Sequence, residues 1–309
     1  MSGELHLVDW GTTNARSYRI GADYRVTDKR DTAVGIMNVA DRNFAGAFDK
    51  LTRGWGDPST ARALLSGMVG SRNGWVEAPY ASCPASLADV ARAVVPHPEH
   101  SRIAFVPGLN CVNPAGRFDV MRGEEVQVFG ALSLGQGGDR VLCLPGTHSK
   151  WVSCRDDAIL TFATSMTGEA FDILRQHSIL KLSMEPDASP GLDGDSFDRG
   201  VAAARFAGGL LDSRFGVRAL DLSGDARPES MRDFLSGLLI GSEIDAMRNM
   251  FSAAGGVTVV GNANLNTRYI RALQGSGIVA DAVASEDATI RGLISLSRRV
   301  SWRDGKAEG

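Results

Sequence analysis

The residues best placed to do chemistry are Asp9, Gly11, Thr12 and Thr13, which close one apolar run and are followed by Asn14 and Arg16 at the start of the next. Residues 5–8 predict a strand, residues 11–14 a tight turn and residues 15–20 a returning strand. Small residues let backbone N–H groups approach an anion, and hydroxyls add further donors. A carboxylate at the strand end can hold a hydrated divalent cation against phosphate oxygens. The stretch reads as a phosphate cradle or as a plain hairpin, because a match as short as D-x-G-T-T has many false positives. A second stretch moves the balance. The apolar residues 140–144 run into Pro145-Gly146-Thr147-His148-Ser149-Lys150-Trp151, where Gly146 and Thr147 repeat Gly11 and Thr12 at an offset of 135 positions. A third strand is expected after each copy, at 24–29 and at 158–162. Duplication marks one supersecondary unit used twice, and two such hairpins can grip one polyphosphate.

Other residues have two readings each. Glu124 and Glu125 open a predicted helix, where acids are favoured by the helix dipole, but one of them could equally be a general base. The loop 70–75 carries Ser71, Arg72, Asn73 and Trp75, a set that can hydrogen-bond and stack on a polyol or merely cover the surface. Residues 257–260 predict a buried strand that passes through Gly261 and Asn262 into a helix, which is either a nucleoside site or an ordinary βα unit.

The elements that must position these residues follow from periodicity. Helices are expected at 44–55 behind Asp41, at 87–94, 123–132, 165–179, 197–211, 229–251 and 285–299, with buried strands at 63–69 and 102–106. The stretch 110–122, with Pro114 and Gly116, reads as the crossing between two domains, 1–115 and 116–309, the last helix being free to pack back on the first. The Asp-rich stretch 186–195 does not have calcium-loop spacing, since Phe197 falls on a ligand position.

Composition sets the limits. A chain of 309 residues that is 43% hydrophobic has material for two cores. A net charge of −3 without a basic run argues against nucleic-acid and anionic-membrane partners. No apolar run reaches the length of a membrane span or a signal peptide, so a cytoplasmic location is expected. The four cysteines lack zinc or C-x-x-C spacing and read as reduced thiols. A homo-oligomer is compatible with this composition.

Taken in order, the motifs resemble the actin/hexokinase/Hsp70 superfamily and, more closely, the 2-dehydro-3-deoxygalactonokinases. The resemblance rests on Val8-Asp9-Trp10-Gly11-Thr12-Thr13-Asn14-Ala15-Arg16, Gly67-Met68-Val69-Gly70-Ser71 with Gly74-Trp75, Met121-Arg122-Gly123-Glu124-Glu125, Leu144-Pro145-Gly146-Thr147-His148-Ser149-Lys150-Trp151 and Met166-Thr167-Gly168-Glu169. It implies an α/β chain of two RNase H-like domains, mixed sheets flanked by helices, with a nucleotide cleft between them. It further implies ATP as donor, a sugar acid as acceptor and transfer of the γ-phosphoryl group to 2-dehydro-3-deoxy-galactonate. The superfamily's base position falls on Glu124 or Glu125, with Glu124 preferred. On this reading Asp9 orients Mg²⁺ through water, and Gly11, Thr12, Thr13, Gly146, Thr147, His148 and Ser149 hold phosphates. Gly261 and Asn262 border the adenosine. Asn14, Arg16, Ser71, Arg72, Trp75 and Arg122 form the sugar-acid site, an Arg fork taking its carboxylate. Two rivals share the residues: a phosphohydrolase in which Glu124 activates water, and a non-catalytic nucleotide sensor.

Overall fold

The computed structural model describes residues 4–56, 60–135, 137–184, 191–205, 209–224, 227–252 and 255–302. The chain divides into two compact units, one of residues 1–138, 154–161 and 285–309, the other of residues 139–153 and 162–284.

In the first unit, β1 (Leu5–Trp10), β2 (Ala15–Ile20) and β3 (Val26–Thr32) form an antiparallel meander. The third strand starts later than periodicity suggests, because Tyr24 sits in the turn with φ of 61° and donates its N–H to Gly21 O. Helix α1 (Phe44–Thr52) is capped by the Asn43 side chain, not by Asp41, whose φ of 51° places it in a left-handed bend. Strand β4 (Arg62–Ser66) pairs parallel to β1, and short strands β5 (Ala81–Ser82) and β6 (Ala85–Ser86) precede α2 (Leu87–Arg92). Next come β7 (Val95–Pro96), β8 (Ile103–Phe105), β9 (Leu109–Val112) and β10 (Phe118–Met121). The main sheet has the order β3-β2-β1-β4-β8-β7, and β10-β9-β5 make a separate three-stranded sheet. The stretch 110–122 is therefore largely a hairpin belonging to the first unit. Helix α3 (Glu124–Leu132) closes this part.

The sheet built around β11 (Asp139–Leu144) repeats the plan, residues 154–161 of its strands being counted with the first unit. Strands β11, β12 (Ser149–Arg155) and β13 (Ala158–Ser165) lead to helices α4 (Thr167–His177), α5 (Gly194–Ala203), α6 (Gly209–Ser223) and α7 (Pro228–Arg248). Then follow β14 (Val257–Gly261), α8 (Ala263–Gly275) and β15 (Ala280–Ala284). The order β15-β14-β11-β12-β13 mirrors β8-β4-β1-β2-β3, and β11–β14 and β14–β15 are parallel as β1–β4 and β4–β8 are. Every residue of β14 is buried, as a parallel interior strand requires. Helix α7 is buried around most of its circumference and starts with Pro228 at its first turn. Helix α6 was not expected from the sequence, and the candidate loop 186–195 falls partly outside the described residues; its end, Asp193, caps α5. The last helix, α9 (Ser285–Ser297), belongs to the first unit, where it packs on α3. Among the described residues no helix is long and apolar enough to cross a membrane, and all four cysteines are free thiols.

Candidate active site

In the first unit, the β1 backbone ends at Asp9 and Trp10, with Asp9 in register with Arg16 on one side and Ser66 on the other. The turn that follows is closed by Gly11 N–H to Asn14 O at 2.9 Å. It is braced from outside, since the N–H groups of Gly35, Ile36 and Met37 donate to the carbonyls of Thr13, Gly11 and Thr12. Thr12, Thr13 and Asn14 are exposed at its tip.

Next to Asp9 the chain turns at Gly67, whose φ of 88° disfavours a side chain and whose absent Cβ would sit 2.9 Å from Trp10 O and 3.5 Å from Asp9 Oδ1. The Gly67 Cα in turn lies 3.3 Å from where a Cβ on Gly123 would be, and Gly123 is the residue before α3. Two glycines in contact thus bring the start of α3 against the end of β1, and with it Glu124 toward Asp9. Electrostatics record the approach. Burial pushes the Asp9 carboxyl above the usual carboxylate range, Arg16 (Nη1 to Oδ2, 3.8 Å) pulls it back, and Glu124 raises it again. A carboxylate whose proton affinity is raised by burial and by a neighbouring acid forms a setting that a divalent cation would relieve. The Asp9 side chain is 22% exposed, so it fits a cation held partly through water.

The two glutamates differ. Glu125 is fully buried; its Oε2 accepts the Gly123 N–H at 2.7 Å and its Oε1 has no partner among the described residues. Burial, with Glu124 adding, pushes its carboxyl up to about 8, so it is mostly neutral at pH 7 and out of reach of a ligand. Glu124 is partly exposed, and its Oε2 accepts the Arg122 N–H at 2.9 Å.

The loop after Gly67 is built on short-range bonds: Ser71 Oγ donates to Met68 O at 2.7 Å, and Gly74 N–H to Ser71 O at 2.8 Å. Arg42 staples its far side, donating to Asn73 O and Gly74 O at 3.3 and 3.0 Å. Arg72 is exposed on this loop. Trp75 faces inward, its ring 5.0 Å from His97 and 5.8 Å from both Phe48 and Phe105, so it belongs to the core. Arg122 supports the loop from behind, with Nη2 on Ala78 O at 2.8 Å and the guanidinium 4.3 Å from the Tyr80 ring centroid. Arg16 is shared between Asp9 and Asp31, the latter at 3.3 Å.

In the second unit, the turn from β11 to β12 carries Gly146, Thr147 and His148, the last two exposed. Helix α4 starts against it. Glu169 N–H donates to Thr147 O at 3.0 Å, the Glu169 carboxylate pairs with His148 Nε2 at 2.5 Å, and a Cβ on Gly168 would lie 2.8 Å from Thr147 Cα. A helix N-terminus pressed on a glycine turn is a natural anion site. Ser149, by contrast, is fully buried and bonds to Tyr269 Oη at 3.0 Å.

Beside the Gly146 turn lies a cavity of about 190 Å³ whose walls include Gly146, Gly168, Phe171, Arg232, Asn264 and Arg268. Its mixture of apolar wall, cations and helix N-terminus suits a nucleoside and its phosphates. Gly261 and Asn262 are not in its walls. Gly261 is buried and its carbonyl accepts from Asn266, while Asn262 caps α8 by accepting the Leu265 N–H at 2.9 Å. The wall residues lie farther along α8, where Asn264 Oδ1 accepts from Arg268 Nε at 3.0 Å and Arg268 Nη1 meets the buried Asp233 at 2.6 Å. The i, i+4 spacing of Asn264 and Arg268 was the available signal for this face. A larger cavity of about 440 Å³ behind Trp75, walled by Phe48, Trp55 and His6, contains none of the glycine turns or paired acids.

Comparisons with known proteins agree along the whole length. A family model described as 2-keto-3-deoxy-galactonokinase matches residues 9–296. The 2-dehydro-3-deoxygalactonokinase of Escherichia coli (strain K12) is 32% identical over 301 residues, covering 97% of this chain and 100% of that one. A crystal structure of a Sinorhizobium meliloti protein assigned as a 2-dehydro-3-deoxygalactonokinase superposes with a TM-score of 0.89 at 34% identity, covering 95% of this chain and 98% of that one. Component A of the Acidaminococcus fermentans (R)-2-hydroxyglutaryl-CoA dehydratase, 12% identical with a TM-score of 0.54 over 96% of this chain and 99% of that one, shares the fold.

Proposed function

This chain belongs to the 2-keto-3-deoxy-galactonokinase family, and on that premise we propose that it is an ATP-dependent sugar-acid kinase that converts 2-dehydro-3-deoxy-D-galactonate to its 6-phosphate in galactonate breakdown. The observation that carries the chemistry is the approach of Glu124 to Asp9 through the Gly67–Gly123 contact. Phosphoryl transfer asks mainly for positioning and charge neutralisation. Glu124 accepts the proton of the acceptor hydroxyl, because it is the partly exposed member of the pair and Glu125 is buried and neutral. Asp9 would hold Mg²⁺, and the cation would supply neutralisation of phosphate charge. Thr12 and Thr13 in the first unit, and Gly146 and Thr147 in the second, offer N–H and hydroxyl donors to phosphate oxygens, while Gly11, its own N–H given to Asn14 O, shapes its turn. Arg72, exposed on its loop, takes the substrate carboxylate, and Arg122, whose buried Nε and Nη1 have no hydrogen-bond partner among the described residues, supplies a second guanidinium, while Arg16 is shared between two aspartates. Asn14 and Ser71 border the same sugar-acid site. Adenosine occupies the cavity between Phe171, Arg232 and Asn264.

The test is ADP release across a panel of 2-keto-3-deoxy sugar acids and plain hexoses, with the product position read by phosphorus NMR. Turnover confined to the sugar acids, with a 6-phosphate product, is expected. Equal turnover of glucose, or ADP release independent of any acceptor, contradicts the assignment and favours a phosphohydrolase.

A further inference from the structure

We propose that Glu243, buried on α7, is the positioning residue of the nucleotide pocket, holding the Gly146 turn, the start of α4 and helix α8 in one fixed arrangement. The inference rests on the kinase reading only for what the pocket binds. Glu243 is 3% exposed. Its Oε1 accepts from Trp151 Nε1 at 2.7 Å and lies 4.0 Å from Cys143 Sγ. Its Oε2 accepts from Tyr269 Oη at 2.8 Å and from the Thr167 hydroxyl. Ser149 joins the ring through Tyr269, at 3.0 Å.

Each donor belongs to a different part of the site. Ser149 and Trp151 open β12 directly after the Gly146 turn, Thr167 is the first residue of α4, and Tyr269 stands on α8 one turn beyond Leu265. Thr167 and Tyr269 themselves line the 190 Å³ cavity. A buried carboxylate costs several kcal/mol in desolvation, and an apolar side chain of the same volume would fill the space more cheaply. An apolar residue cannot, however, fix the rotation of two hydroxyls and an indole. The carboxylate, as an acceptor only, makes every neighbour a donor and leaves the ring one hydrogen-bonding pattern. Burial raises its proton affinity above the ordinary carboxylate value, and the hydrogen bonds from Thr167, Trp151, Tyr269 and Ser149 pull it only part of the way back. The consequence for the site is that Gly168 and the first N–H groups of α4 are held against Thr147, where the turn needs them.

Calorimetric titration with ADP, which requires no sugar acid, tests this on the intact wild type and on Glu243→Gln, Thr167→Val and the double variant. Glutamine keeps the volume but brings a donor into a ring of donors. The expected result is a loss of ADP affinity of at least fivefold in each single variant, a matching rise in KM for ATP, and a KM for the sugar acid within twofold of wild type. The double variant should lose no more than the worse single, because both cut the same tie. Should Glu243→Gln fail to fold, Tyr269→Phe removes one donor from the same ring and is held to the same fivefold criterion. Unchanged ADP affinity with only a lowered melting temperature, or fully additive losses, overturns the proposal. A wild type that binds ADP but phosphorylates no sugar acid refutes the kinase reading and leaves this inference standing; one that binds no ADP refutes both.

Discussion

At the scale of single residues, the two adjacent glutamates are separated by environment more than by chemistry. Glu125 has a carboxyl pushed up to about 8, against an ordinary value of 4.5. Below pH 4.5 it is protonated folded or unfolded and contributes no pH dependence. As pH rises toward 8 the unfolded chain ionises first, so the protein loses stability across that window, by roughly 5 kcal/mol at most. Glu125→Gln, a mimic of the neutral acid, should remove that loss: its melting temperature should draw ahead of wild type progressively between pH 5 and 8, measured by differential scanning calorimetry. A pH-independent difference between the two would show Glu125 to be ionised in the fold. Arg72 makes a second prediction at this scale. Arg72→Ala should raise KM for the sugar acid by ten- to a hundredfold with kcat and KM for ATP little changed in steady-state assays. That the acids and Arg72 stand beside glycine turns was legible in the sequence. That Trp75 points into the core with His97 and Phe105 was not, since its partners are distant along the chain and an isolated Trp on a polar loop looks the same facing either way.

At the scale of elements, the glycine turns depend on what is pressed against them. Gly168 has room for no side chain between α4 and Thr147. Gly168→Ala should cost about 1–3 kcal/mol of stability by overpacking and raise KM for ATP at least tenfold, as chemical denaturation and kinetics would read. A variant with normal stability and KM would mean that α4 is not part of the nucleotide site. Strands and turns were legible here because they rest on local patterning: an apolar run, a glycine, a hydroxyl. The duplicated plan was legible too, from Gly11-Thr12 and Gly146-Thr147, and it recurs as the same strand order in each six-stranded sheet. What local pattern could not supply was the ring around Glu243, whose partners Trp151 and Thr167 lie 92 and 76 positions away. Nor did it supply the wall on α8, because Gly261 and Asn262 advertise a turn while the cavity opens farther along the helix, at Asn264 and Arg268.

At the scale of the whole molecule, sequence order and compactness part company. The C-terminal helix α9 completes the first unit, meeting α3 almost backbone to backbone: a Cβ on Gly130 would lie 2.6 Å from the Ala288 carbonyl carbon, and one on Gly292 2.8 Å from that of Val126. Glu124, the proposed base, opens α3, so α9 would support the proposed chemistry from behind. Ending the chain at residue 284 should therefore abolish cooperative unfolding of the first unit while hydrogen exchange in β11, β14 and β15 stays protected; intact protection of α3 in the truncated chain would refute this. The central claim is that Glu124 on α3 takes the proton from the acceptor hydroxyl. Single-turnover phosphoryl transfer from ATP to 2-dehydro-3-deoxy-D-galactonate, compared among wild type, Glu124→Gln and Glu125→Gln, tests it directly. Transfer at least a hundredfold slower is expected in Glu124→Gln, with both substrates bound within threefold of wild type, and transfer within fivefold of wild type in Glu125→Gln. Near-normal transfer in Glu124→Gln, or a collapse confined to Glu125→Gln, would contradict it.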